Sequence, residues 1–169
     1  MKDVITVELG EKEIYRFKKK LEDTEKWLDE KAKLLAERLA ETADMKISIK
    51  LAAAGGPFVE ANWFQVETTW EDDHTAVIRA SGTEVLFIEF GSGIRFSAQS
   101  HPEAAQNGMG PGTYPGEGHW DSPSGWHFRN SQGEREHTFG MPAMAPVYNS
   151  MKEIEQDDIN RIVKEVFND

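Results

Sequence analysis

From Ile14 to Leu35 an apolar residue returns at every seventh position: Ile14, Leu21, Leu28 and Leu35. Phe17, Ala32 and Leu39 fill neighbouring places on the same side, and charged residues take most of the rest. A strand alternates its side chains every second residue, so a repeat of seven marks one stripe along a helix. Gly55-Gly56-Pro57 cannot continue it, which places the end near "LAAAGGP" at 51–57. Asp23-Thr24 offers a break and a fresh N-cap, giving a short helix and then a longer one. The stripe is expected to pack against a sheet; a partner helix is the alternative.

The period changes after the helix. "VITVEL" at 4–9 already reads as a short strand closed by Gly10, and "ANWFQVETTW" and "HTAVIRAS" alternate around the acidic turn at 71–73, as a β-hairpin does. "TEVLFIEFGSG" (83–93) suits a buried strand or a short helix on period alone. Thr83 as N-cap and Gly91 as stop favour the helix. Near the C-terminus Met151, Ile154, Ile159, Ile162, Val163 and Val166 share the broad face of another helix. No internal repeat or linker divides the chain, so one domain is expected over 1–169.

From about 92 to 125 glycines and prolines interrupt any period, and a long loop is expected, followed by "GWHFR" as a strand returning to the sheet. Four of the five histidines lie in 101–137. His101, His119, Asp121, His127 and His137 are candidate ligands for zinc or iron, but their spacings match no compact ligand motif. His74, in the hairpin turn, is expected to be exposed. There is no G-x-S-x-G, no cysteine nucleophile and no phosphate-cradling glycine motif. What the tract does offer is aromatics of the kind that anchor protein interfaces. Tyr114, Trp120, Trp126, Phe128 and Phe139, with His119, are the candidate assembly contacts. The alternative is that the loop folds back and buries its tryptophans.

The net charge of −11 falls entirely on residues 55–169, with seven basic against eighteen acidic side chains; residues 1–54 balance at twelve each. Such a surface repels phosphate and disfavours tight non-specific nucleic-acid binding. The one basic cluster, "RFKKK" at 16–20, reads as a solvated helix face. Without cysteine there are no disulfides, and no apolar run has the length of a signal peptide or membrane span. A cytoplasmic protein is expected.

The order of several short motifs resembles a known family. "VLFIEFGSGIRF" is followed by "HPEA", "GTYPGEGHW", "GWHF" and "HTFGMPAMAPVYNS". Over roughly 10–167 this is similar to the tail-completion, or head–tail joining, proteins of long-tailed phages and prophages. Its sharpest parts are Glu89-Phe90-Gly91-Ser92-Gly93, Gly140-Met141-Pro142-Ala143 and Tyr148-Asn149. Pro146-Val147 departs from the pattern, where a larger apolar residue is expected in place of Val147; the start of the last helix is therefore open.

The resemblance implies an α+β fold, a small antiparallel sheet packed against a long N-terminal helix and a C-terminal helix, which the helix and hairpin patterns also suggest. It implies a minor tail structural protein with no enzyme activity and no cofactor. Copies of itself would form a ring, expected as a hexamer, between the tail tube and the head–tail connector proteins. DNA would pass through without specific binding. The protein would reside in the host cytoplasm during assembly and in the virion afterwards. A head-closure protein of the neck is the near alternative. A metal-dependent hydrolase built on the histidine-rich loop is the alternative of another class.

Overall fold

The striped segment forms one helix, α1 (Glu11–Ala54), of 44 residues. At about 1.5 Å per residue it spans roughly 66 Å. The computed structural model describes residues 10–55, 63–82, 84–109, 122–130 and 132–168. The strand expected at 4–9 and the cap expected at Thr83 lie outside them. The break expected at Asp23-Thr24 does not occur. Thr24 Oγ1 instead donates to the Lys20 carbonyl at 2.8 Å, so its hydroxyl is satisfied within the helix. Gly55 ends α1, but in a right-handed conformation (φ −63°). Its lack of a side chain makes room: a Cβ there would lie 2.6 Å from the Trp63 indole nitrogen.

β1 (Phe64–Trp70) and β2 (Ala76–Gly82) form the expected antiparallel hairpin, from Phe64 opposite Gly82 to Trp70 opposite Ala76. Asp72 holds the turn, accepting from the His74 N–H at 2.7 Å and the Thr75 hydroxyl at 3.1 Å. Phe64, Val66, Ile78 and Ala80 pack with Trp63 and Val147 over buried Ile47, Leu51 and Val85. Full burial of residues such as Leu51 and Ile47 contributes about 1.5–3 kcal/mol each.

α2 (Val85–Phe90) follows as the expected short helix and stops at Gly91 (φ +76°). Short 3-10 turns at Ile94–Gln99 and Ala105–Asn107 occupy part of the tract expected to be irregular. Trp126–Arg129 is a strand, β3, but it does not return to the first sheet. It pairs antiparallel with β4 (Arg135–Thr138). The fold is α+β, as expected; among the described residues its strands form two small antiparallel sheets, where one was expected. β4 carries Arg135, Glu136 and His137, all exposed. No apolar alternation marks it in the sequence.

α3 (Pro146–Glu153), a π turn (Ile154–Asp158) and α4 (Ile159–Asn168) run on as the C-terminal helix. Pro146 takes the first helical position, where its missing N–H costs nothing. Ser150, Ile154, Asp158, Ile162 and Val166 are buried, one every four residues. On an ideal α-helix that spacing drifts by about 40° per step. The wide π turn accommodates an extra residue and limits the drift. Of the expected face, Ile154, Ile162 and Val166 are buried, Ile159 and Val163 half-buried, and Met151 exposed.

The largest correction concerns the seven-residue stripe. The residues of α1 that enter the core are Ala40, Ala43, Ile47 and Leu51. Ile14, Phe17, Leu21 and Leu28 are exposed. The reason is reach. The hairpin turn touches α1 at Asp29 and Lys33, through His74 and Asp73, and α4 touches Trp27 through Phe167. These contacts come from the far ends of the hairpin and the C-terminal helix. The first four turns of α1 extend past them as an arm. No helix among the described residues is long and apolar enough to cross a membrane.

Candidate functional site

The two motif runs that carry the resemblance fold into one frame. Ser92 and Met141 exchange both backbone hydrogen bonds, each 2.9 Å. The close approach depends on glycine. A Cβ on Gly140 (φ +90°) would lie 1.9 Å from the Ser92 carbonyl oxygen, and one on Gly91 would lie 2.7 Å from the Ala143 nitrogen. Gly93 is pressed against the Phe139 carbonyl in the same way. Pro142 and Ala143 lead to Met144, whose N–H donates to the Ile88 carbonyl at 2.9 Å. Asn149 closes the corner by donating from Nδ2 to the Met144 carbonyl at 3.0 Å.

At the centre of this frame is a buried carboxylate. Glu89 Oε2 accepts from the Val147 N–H at 2.8 Å, and Oε1 from the Tyr148 N–H at 2.9 Å. These are among the free N–H groups at the start of α3, so Glu89 caps that helix from another element. His101 Nε2 lies 3.1 Å from Glu89 Oε1, while its Nδ1 accepts from the Glu103 N–H at 3.0 Å. The ring proton therefore sits on Nε2 and is donated to Glu89. Phe90 and Tyr148 flank the imidazole at 4.5 and 5.1 Å between centroids. A buried His–Glu pair resembles a catalytic dyad, but here both carboxylate oxygens and both ring nitrogens are engaged in holding the fold.

A second charged cluster ties α1 to the C-terminal helix. Lys46 Nζ meets Glu153 Oε2 at 3.2 Å and Asp158 Oδ2 at 3.0 Å. Lys50 also reaches Glu153, and Arg161 reaches Asp158 Oδ1 at 2.8 Å. Asp158 Oδ2 is buried without an aligned hydrogen-bond donor and meets Lys46 as an ion contact. The Arg161 guanidinium, then Lys46, hold the Asp158 carboxyl below its ordinary range, and Asp158 raises Lys46. The π turn brings Glu153 and Asp158, five residues apart, to one ammonium.

Of the expected metal candidates, His119 and Asp121 lie outside the described residues. His101 belongs to Glu89. His127 and His137 meet edge to face at 4.9 Å between centroids, and His137 Nε2 donates to the Ser124 carbonyl at 2.9 Å. Desolvation by its neighbours, then Arg135 and His137, lower the pKa of the exposed His127. Among the described residues no three acidic or histidine side chains converge to hold a metal. His74 is exposed, as expected, and lies 3.1 Å from Asp29.

Of the assembly candidates, Tyr114 and Trp120 lie outside the described residues. Trp126 is half-buried against Gly93. Phe128 and Phe139 are exposed, with Arg95 stacked over the Phe139 ring at 4.5 Å. An open groove of about 590 Å³ runs beside the frame, lined by Val85, Leu86, Phe90, Met151, Ile154 and Ile159.

In the sequence Glu89 stands out as a motif residue, but its partner does not. An acid within "VLFIEF" is itself a signal, because a carboxylate on an apolar face needs buried donors. No family model matches the chain, no curated protein matches it, and no solved structure matches it.

Proposed function

We propose that this chain is a non-enzymatic structural protein of a long-tailed phage or prophage. In this reading it completes the head-proximal end of the tail tube and joins it to the head connector, as a ring of copies. The observation that carries the reading is the apolar and aromatic surface left open beside the motif frame: exposed Phe128 and Phe139, and the groove lined by Leu86 and Met151. An exposed patch of this kind on a folded chain marks an interaction surface. Two further features agree with it. The motif residues hold the frame together. The acidic charge of residues 55–169 suits a passage through which DNA slides without binding.

Deleting the gene from the phage or prophage that carries it tests this reading. Electron micrographs of the lysate are expected to show DNA-filled heads beside complete, unattached tails. Emptied heads would point instead to head closure. Normal joined particles would overturn both.

A further inference from the structure

Every residue from Glu11 to Glu30 is exposed. Among them Ile14, Phe17, Leu21 and Leu28 form one stripe, between 48% and 62% exposed. Leu35 and Leu39 continue it and are half-buried inside the body. The open stripe is thus the outward continuation of a covered one.

The charges along the arm are sorted into blocks. Arg16, Lys18, Lys19 and Lys20 form a basic block. Glu22, Asp23, Glu25, Asp29 and Glu30 form an acidic one, interrupted by Lys26. When two arms lie antiparallel with their stripes facing, each basic block meets the acidic block of the other copy. Setting Phe17 of one arm against Leu28 of the other brings Lys18 of each copy near Glu25 of the other. Lys18 is available for this: its ion pair with Glu22 is loose, 3.8 Å between two well-exposed side chains. The antiparallel order also opposes the two helix dipoles. It sends the two bodies, which begin at residues 27–33, to opposite ends of the pair. A parallel order would set like blocks side by side and crowd the bodies together.

We propose that the arm of α1 pairs antiparallel with the same arm of a second copy of this chain, through Ile14, Phe17, Leu21 and Leu28. The pair has a two-fold axis, so it neither closes nor extends a ring. It is separate from the ring contact of the proposed function and stands or falls without it. A seam of about 20 residues is short, and the pair is expected to be reversible at micromolar concentration.

Sedimentation equilibrium on the full chain over about 5–200 µM is expected to show a monomer–dimer equilibrium. Leu21→Lys is expected to weaken it at least about tenfold, the effect of withdrawing roughly one aliphatic side chain per copy from the seam. Because Leu21 is exposed in the monomer, the melting temperature of dilute L21K should match the wild type, which separates weakened pairing from impaired folding. The chain has no cysteine, so orientation is read from two single variants, Phe17→Cys and Leu28→Cys. Oxidised together they are expected to form the mixed disulfide, and each alone should stay largely uncrosslinked. A monomer at all concentrations, a dimer indifferent to L21K, or self-crosslinking of each cysteine variant alone would overturn the proposal.

Discussion

Replacing Glu89 by alanine tests whether the resemblance motif is a structural frame. The substitution removes the acceptor of three N–H groups: Val147, Tyr148 and His101 Nε2. Each buried donor left unpaired costs about 1–3 kcal/mol. The groove beside Tyr148 admits water to part of the site, so the lower half of that range applies to the two backbone groups. The sum is about 3–7 kcal/mol, including the missing cap on α3. For a chain of this size it corresponds to a fall in melting temperature of roughly 6–28 °C. Glu89→Gln keeps one acceptor oxygen but turns an NH₂ toward a donor, and should cost about 1–2.5 kcal/mol. Calorimetric melting and urea unfolding of both variants are the assays. Losses of stability ordered alanine, then glutamine, then wild type support the reasoning. An alanine variant within about 1 kcal/mol of wild type would refute it, because the three donors would then be satisfied without the carboxylate.

Two other perturbations follow from the packing. Gly140→Ala places a methyl group 1.9 Å from the Ser92 oxygen at a φ of +90°, so the Ser92–Met141 bridge must open. A loss of at least about 3 kcal/mol, or failure to fold, is expected in the same melts. Asp158→Asn should cost about 1–3 kcal/mol by leaving Lys46 and Arg161 with one carboxylate partner fewer. It should also flatten the acid limb of the stability curve. Asp158 and Glu153 both titrate lower in the fold, chiefly through Arg161 and Lys50 respectively. Their contribution is therefore full above the unfolded values, about 3.9 and 4.3, and fades as pH falls through the folded ones. Melting temperatures measured from neutral pH to below about 4 read this directly; an equally steep acid limb in the asparagine variant would contradict it.

Much of the fold was legible because local pattern and tertiary environment agree. The hairpin at 64–82 alternates, its turn carries Asp72, and the observed register follows. The helix of "VLFIEF" and its stop at Gly91 were visible for similar reasons. Where burial is not written locally, the reading fell short. The heptad stripe announced a helix face, but nothing in residues 11–30 reveals that the hairpin and α4 end beside Trp27 and Asp29. β4 is polar on both faces and has no apolar period to find. The π turn shows in retrospect as Ile154 to Ile159, a step of five that an α-helical face does not use. At the site, Glu89 was singled out by its motif. Its role depends on His101 and the start of α3, which only the folded chain brings together.

The central claim is that this chain joins heads to tails. It is tested most directly by mixing DNA-filled heads and tails from the deletion lysate with purified protein, and counting joined particles in electron micrographs. The account predicts that added protein raises the joined fraction from near none to most particles. Heads and tails that stay apart in its presence, or that join as well without it, would contradict the account.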